Sequence, residues 1–214
     1  MTARRCEATD GPSALLLDDL PAPRLADVRL TVTDGLRLAE TILAQIDRIA
    51  GAPPVIADIR GVEQWGDYAR TMLADLTALV ESGTFRQTDH ALIDRLRRQA
   101  LAPGVLAAFR TPGGYVHRDL SGDNIFVLAG GYRVIDWQRP LLGPVLLDFA
   151  ALLQTVGVDP RKHVDAGILQ LRDLLSIAWF VQCARTWFPP GAATYDAAVV
   201  RLAAQVTQGA GRAR

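Results

Sequence analysis

The sequence predicts a mainly helical α+β fold that contains one short β-hairpin. Over most of the chain, apolar residues recur at the spacing of helices that bury one face. In the middle, the run NIFVLAGGYRVIDW holds two short apolar stretches joined by two glycines, which is typical of a hairpin. Near the N-terminus, SALLLDDLPAP ends in acids and prolines and predicts a single strand followed by a turn.

Helical segments lie on both sides of the hairpin. Asp34 precedes the first segment, and Thr88 or Asp89 is expected to cap the third, which ends before Pro103. In the fifth, the aromatic residues Trp179, Phe180 and Trp187 are expected to belong to the core. The predicted helices cover residues 35–51, 64–81, 90–102, 146–156, 165–187 and 192–208.

Composition favours one large globular domain. The chain has 214 residues, of which 50% are apolar and 21% are charged. Acidic and basic residues number 23 each, so the sequence does not indicate a nucleic-acid partner. Two distant cysteines, Cys6 and Cys183, form no disulfide or zinc pattern, and a cytoplasmic location is expected. Because no run of about 20 apolar residues occurs, no membrane span is expected.

Polar side chains cluster at the two ends of the hairpin sequence. Asp119 and Asn124 precede its first strand, and Asp136 ends its second strand. If the strands pair through the glycines, Asn124 and Asp136 meet at the open end and Asp119 lies on the loop beside them. Oxygen ligands of this kind suit Mg²⁺ together with phosphate oxygens. The remaining carboxylate could accept the proton of a hydroxyl that attacks a phosphate.

Three motifs carry a resemblance to a known family. The run HRDLSGDN, residues 117–124, matches the catalytic-loop pattern H-R-D-L-x-x-x-N of the protein-kinase-like superfamily. The IDW of residues 135–137 and the GPVLLDFA of residues 143–150 resemble the aminoglycoside phosphotransferase / choline kinase-like family. Relatives typically have Gly-Asp-Pro-x-x-Asp-Leu-Ala in the last segment; this chain has lost the first aspartate and keeps Asp148.

The resemblance implies a fold, a reaction and a role for each motif residue. The fold would be the C-terminal lobe of the protein-kinase-like fold, with a short catalytic-loop hairpin. The reaction would be phosphoryl transfer from ATP, or another nucleoside triphosphate, to a hydroxyl of a small molecule, with Mg²⁺. Asp119 would be the catalytic base, Asn124 and Asp136 would hold the metal, and His117 and Asp148 would support the loop.

The N-terminal segment resembles the hinge that joins the two lobes of such proteins. By this resemblance, residues 1–20 are the last small-lobe strand and the hinge, and residues 21–214 are the large lobe. The hinge residues Asp18, Asp19 and Leu20 would contact the nucleotide.

Two parts of a working kinase are not found in the sequence. There is no G-x-G-x-x-G, and the only lysine, Lys162, follows Asp136 instead of preceding the catalytic loop. A largely absent N-terminal lobe is therefore expected. This leaves three alternatives: a truncated, weakly active or inactive phosphotransferase; a pseudoenzyme or binding module; or a split enzyme whose small lobe comes from another chain.

The charges of the late helices bear on the kind of acceptor. The late helices mix both signs, and this disfavours a polycationic substrate. The residues concerned are Asp159, Asp165, Asp173 and Asp196 against Arg161, Lys162, Arg172 and Arg185.

Overall fold

The computed structural model describes residues 4–6, 14–16, 20–49 and 56–209. Helices dominate these residues, as the sequence predicts, and each of the six predicted segments contains one. Pro103–Ala107 forms a further short helix, and a π-helical turn, Cys183–Trp187, continues the sixth helix. The helices are α1 Val32–Ile46, α2 Val62–Glu81, α3 His90–Ala100, α4 Pro103–Ala107, α5 Leu146–Thr155, α6 Ala166–Gln182 and α7 Ala192–Gly209.

Hydroxyl and carboxylate caps fix the start of two helices. The Thr31 hydroxyl caps α1, where Oγ1 accepts a hydrogen bond from the Asp34 amide at 3.2 Å, so Asp34 lies inside the helix. Asp89, one of the two predicted caps, accepts from the Leu92 amide at 2.7 Å at the start of α3. Each cap satisfies a backbone donor that has no partner within the helix.

The strands form three small sheets in the described part of the chain. One is the predicted hairpin, and another pairs β1 with β2 in antiparallel fashion, so the N-terminal strand is not alone as expected. The third is a three-stranded sheet in the order β3-β7-β4, which the sequence analysis missed. The strands are β1 Arg4–Cys6, β2 Ala14–Leu16, β3 Ala57–Asp58, β4 Gly113–Val116, β5 Ile125–Leu128, β6 Gly131–Val134 and β7 Leu141–Pro144.

The hairpin turn differs by one residue from the prediction. Leu128 pairs with Gly131, so Ala129 and Gly130 form the two-residue connection. Gly131 has a φ of 141°, a backbone conformation that favours glycine.

Two apolar clusters hold the elements in place. The larger one packs α2, α3, α6 and α7 around Trp65, Leu76 and Ile168. The smaller one packs α1 and α5 against the hairpin and contains Leu120 of the catalytic-loop motif. Trp187 was expected in the core, but it is 60% exposed because the π-helical turn carries it out of the face that α6 buries. No helix among the described residues has the length and apolar character needed to cross a bilayer.

Candidate active site

The hairpin brings the predicted metal ligands to its open end. Beyond the Ile125–Val134 pair, the Ile135 amide donates to the Asn124 carbonyl at 3.0 Å, which extends the ladder by one bond. Asp136 follows directly and has a φ of 63°, so the chain leaves the strand in a left-handed turn at this residue. The Gln138 amide then donates to the Asp136 carbonyl at 2.9 Å. Non-glycine residues in this conformation are uncommon and cluster at functional sites, although aspartate adopts it more readily than most residues.

The loop that precedes the hairpin is held by its own polar groups. The Asp119 carbonyl accepts from the Ser121 amide and from Asn124 Nδ2, both at 2.8 Å. The Asn124 amide nitrogen is thereby used inside the loop, and Oδ1 is the atom that could face a cation.

Gly122 explains why a glycine separates Asp119 from Asn124. A Cβ at this position would lie 2.8 Å from the backbone nitrogen of Ala26 and 3.0 Å from Cγ2 of Thr155. The loop therefore packs directly on the backbone of the segment before α1, and only glycine permits that approach.

His117 is fully buried behind the loop and links it to the hairpin. The Asp119 amide donates to Nδ1 at 3.2 Å, so the proton is on Nε2, which donates to the Ile135 carbonyl at 2.9 Å. The Trp137 ring lies 4.5 Å from the imidazole, measured between centroids. Burial lowers the pKa of His117 and keeps the imidazole neutral.

Asp148, at the start of α5, is buried and receives two backbone amides of the loop. Oδ2 accepts from the His117 amide at 2.6 Å, and Oδ1 accepts from the Arg118 amide at 3.0 Å. Arg118 has a φ of 69°, which turns both amides toward the same carboxylate. Burial raises the pKa of Asp148 to about 6, against the lowering effect of the two amides.

The Arg118 side chain points into the protein instead of toward the hairpin end. Its Nη2 donates to the Leu175 carbonyl of α6 at 2.6 Å. Burial lowers the pKa of its guanidinium, against the raising effect of the Tyr68 side chain of α2. Arg118 thus connects the loop to a helix of the larger core.

Arg139 is a site residue that the sequence analysis missed. Its Nη2 lies 2.7 Å from Oδ2 of Asp119, and its guanidinium carbon lies 4.7 Å from the ring centroid of Trp179 on α6. Its Nε is buried and has no hydrogen-bond partner. Its place three residues after Asp136 was the one hint in the sequence that Arg139 belongs to the site. Its pairing with Asp119, 20 residues earlier, follows no repeating pattern and so could not be predicted.

The predicted nucleotide-binding hinge is described only in part. Asp18 and Asp19 lie outside the described residues, and Leu20 is half-buried with its carbonyl bonded to the Ala22 amide at 2.7 Å. The following segment runs along the hairpin, where the Val127 amide donates to the Pro23 carbonyl at 2.9 Å. The structure therefore places Pro23, three residues after the predicted hinge, beside β5.

The donor set at the hairpin end fits magnesium better than zinc. No group of three or more His, Cys, Asp or Glu side chains in the described part of the chain could hold a metal on its own. One amide oxygen and one carboxylate are a set that suits a cation whose remaining ligands are water and phosphate.

A cavity of about 310 Å³ opens between α2 and α6 and includes Tyr68 in its wall. Three of its lining carboxylates belong to Asp58, Asp67 and Asp75. Each pairs with an arginine: Asp58 with Arg60 at 2.6 Å, Asp67 with Arg70 at 2.8 Å, and Asp75 with Arg185. Hydrogen bonds from the Arg60 side chain lower the pKa of Asp58. The cavity wall is therefore close to neutral.

One of the acidic residues in the last helices is buried instead of lying at the surface. Asp196, counted above among the mixed charges that a substrate would meet, is only 2% exposed and bonds the loop before α3. The buried carboxylate holds the protein together instead of facing a ligand.

Asp148 is expected to make stability depend on pH in a defined direction. Its folded-state pKa of about 6 lies above the ordinary value of 3.8, so its contribution is complete below pH 3.8 and is lost as the pH rises through 6. Relative to Asp148→Asn, the free energy of unfolding should fall by about 2 kcal/mol between pH 4 and pH 7. Urea unfolding of both proteins at each pH measures the difference, and a flat difference would contradict the raised pKa.

Comparison with known proteins identifies the family that the motifs indicate. The sequence model described as the phosphotransferase enzyme family matches residues 8–181. No curated protein matches the sequence.

A solved structure of a kinase family protein shows the fold. A choline/ethanolamine kinase family protein from Mesorhizobium loti matches with a TM-score of 0.58 and 14% identity, over 97% of this chain and 72% of that chain. Spectinomycin phosphotransferase in complex with ADP and spectinomycin matches with a TM-score of 0.42 and 17% identity, over 89% and 70% of the two chains. Its AMP-bound complex matches with a TM-score of 0.41 and 17% identity, over 86% and 70%.

Proposed function

Because the chain belongs to the phosphotransferase enzyme family, we propose that it transfers the terminal phosphoryl group of ATP, or of another nucleoside triphosphate, to a hydroxyl of a small molecule. The observation that carries the proposal is the placement of Asn124 and Asp136 at one end of the hairpin, next to the loop of Asp119. The choline/ethanolamine kinase family of the Mesorhizobium loti protein supports a small alcohol as the acceptor.

Asp119 is the catalytic base in this proposal. Its carboxylate accepts the proton of the acceptor hydroxyl while that oxygen forms a bond to the terminal phosphorus, and the bond from phosphorus to the bridging oxygen of the nucleotide breaks. The side chain is 37% exposed, so an acceptor can reach it from solvent. The hydrogen bond from Asn124 Nδ2 to the Asp119 carbonyl holds these two residues next to each other.

Asn124 Oδ1 and the Asp136 carboxylate would hold magnesium. Bound there, Mg²⁺ would neutralise charge on the phosphates of the nucleotide. The buried residues behind these two ligands hold the catalytic loop in position. His117 fixes the loop to Ile135, and Asp148 fixes the amides of residues 117 and 118.

The nucleotide would lie between the hinge and the hairpin. Leu20, with Asp18 and Asp19, would contact its base, and we propose that residues 21–214 correspond to the large lobe of the kinase-like fold, after hinge residues 1–20. The sequence supplies no G-x-G-x-x-G and no lysine ahead of the catalytic loop to grip the phosphates. We therefore expect this chain to act slowly by itself.

Magnesium-dependent nucleotide binding tests the function. Calorimetry with ATP should show binding that requires Mg²⁺, and Asp136→Asn should raise the Mg²⁺ concentration needed for half-saturation by about ten- to a hundredfold, since it removes the charged ligand. Asp123→Asn is the matched control, because Asp123 lies in the same loop but its side chain is 71% exposed.

Two outcomes separate the alternatives. If ATP binds equally well with and without Mg²⁺, and Asp136→Asn changes nothing, the metal site is wrong. If Mg²⁺-dependent binding occurs but no acceptor from a panel of small alcohols is ever phosphorylated, the chain is a binding module that uses the kinase-like site.

A further inference from the structure

The carboxylate assigned as the base is occupied by an arginine. Asp119 Oδ2 lies 2.7 Å from Nη2 of Arg139, so the guanidinium occupies one of the directions from which a hydroxyl could approach this carboxylate while the pair is closed. The Arg139–Asp119 pair is therefore an ion pair that involves the proposed base itself.

The Arg139 guanidinium has more binding capacity than Asp119 uses. Its side chain is only 18% exposed, and its buried Nε is left without an acceptor. Trp179 supports its face at 4.7 Å. A flat guanidinium held in this way can present two parallel N–H groups to one oxyanion. A buried donor without a partner is costly, so an oxyanion that takes the place of Asp119 and also accepts from Nε would gain affinity.

The position of Arg139 indicates which ligand would bind. Its supporting residue, Trp179, belongs to α6, and the same helix lines the cavity beside Tyr68 through Ala178 and Gln182. The acceptor hydroxyl has to lie beside the Asp119 carboxylate, which Arg139 contacts. The proposed nucleotide contacts are instead made by Leu20 and by the metal ligands Asn124 and Asp136. Arg118, the arginine adjacent to Asp119 in sequence, donates to the Leu175 carbonyl inside the protein and does not serve the same ligand.

We infer that Arg139 and Trp179 form a binding site for an oxyanion on the acceptor, a carboxylate or a phosphate group, and that this group displaces Asp119. The inference rests on the proposed function. Binding of the acceptor would then release Asp119 Oδ2 at the moment when a hydroxyl proton has to be accepted. An alcohol without an anionic group would leave the base paired. Arg139 is thus a specificity-determining residue that selects anionic alcohols.

Competition between the ligand and Asp119 gives the sharpest test. The probes are glycolate and inorganic phosphate, with ethylene glycol as the neutral counterpart, titrated into the full chain without nucleotide. Trp179 emission should change with saturation for the two anions but not for ethylene glycol. Asp119→Asn should bind both anions about three- to tenfold more tightly, because the neutral amide competes less for Arg139.

Three further variants locate the site. Asp123→Asn, a charge lost from the same loop, should leave anion affinity unchanged. Arg139→Gln should lose the saturable binding. If Arg139→Gln does not fold, Trp179→Phe is used instead. In Trp179→Phe the anions should no longer change the emission, and calorimetry should still detect anion binding within about tenfold of the original affinity. Unchanged or weaker anion binding in Asp119→Asn would overturn the inference, as would anion binding that survives in folded Arg139→Gln.

The nucleotide and the acceptor are distinguished by a second titration. With a non-hydrolysable ATP analogue and Mg²⁺ at saturation, glycolate affinity should be retained if the anion belongs to the acceptor. If the analogue displaces glycolate, Arg139 serves the terminal phosphate and the acceptor assignment is wrong. Because the anion titrations need no nucleotide, their failure is distinct from failure of the metal-dependent ATP binding that tests the proposed function.

Discussion

Replacing Asp119 with asparagine is expected to lower phosphoryl transfer by about 10²- to 10⁴-fold while ATP binding stays the same. The amide keeps the size of the carboxylate but cannot take the proton of the attacking hydroxyl. The loop should keep its shape, because the hydrogen bonds within it involve the Asp119 backbone, and the ion pair of the carboxylate with Arg139 lies outside the loop. Loss of rate without loss of binding identifies a group that acts in the transition state.

The measurement uses labelled ATP, Mg²⁺ and excess protein over a panel of small alcohols. For the wild type we expect rates below the roughly 1 per second of typical kinases, because the sequence provides few phosphate-gripping groups. Joining the small lobe of a relative ahead of Ser13 should raise the rates of the wild type and of Asp119→Asn by the same factor, so that their ratio does not change. Asp123→Asn should behave as the wild type. Equal rates in the wild type and Asp119→Asn would remove Asp119 from the mechanism.

The sequence predicted the helices and the hairpin because both have a local signal. Helical periodicity persists over many residues, and the hairpin has glycines between two apolar runs. The closeness of Asn124 and Asp136 could be predicted in the same way, because two strands joined by a short turn must bring their outer ends together.

The three-stranded sheet could not be found in the same way. β3 has two residues and β7 contains a glycine and a proline, so neither carries an alternating pattern. Their pairing is decided by tertiary contacts, in which Ile59 bonds the Leu142 carbonyl at 2.7 Å across more than 80 residues of chain.

Arg139 and Asp196 were missed for a related reason. A charged residue read along the sequence is expected at the surface, because its partner is unknown. Arg139 is nearly buried only because Asp119 and Trp179 meet it from other elements. Asp196 is buried only because it receives the backbone of the loop before α3.

Asp196→Ala is expected to lower the free energy of unfolding by about 3–5 kcal/mol, as removal of one partner from a buried charged network does. Oδ2 accepts from the amides of Arg86 and Gln87 at 2.6 and 2.7 Å, and Oδ1 accepts from the amide and hydroxyl of Thr88 at 3.0 and 2.7 Å. Alanine would leave these donors without an acceptor at the junction of α3 and α7.

The charge state of Asp196 sets the conditions of the measurement. Burial raises its pKa, but the bonds from residues 86–88 together lower it further, and the pKa lies below its ordinary value. The stabilisation is therefore complete above the unfolded-state pKa of about 3.9 and is lost as the pH falls through the lower folded-state pKa. Urea unfolding at pH 7 should show the full effect, and the difference between the two proteins should shrink in strong acid.

Thr88→Val is the matched control, because it removes one of the four hydrogen bonds and keeps the carboxylate paired with three backbone amides. Its expected cost is about 1 kcal/mol. A loss in Asp196→Ala no larger than that of Thr88→Val would show that water replaces the carboxylate at these amides. A clearly larger loss would show that the loop before α3 depends on Asp196, a contact between residues more than 100 positions apart in the chain.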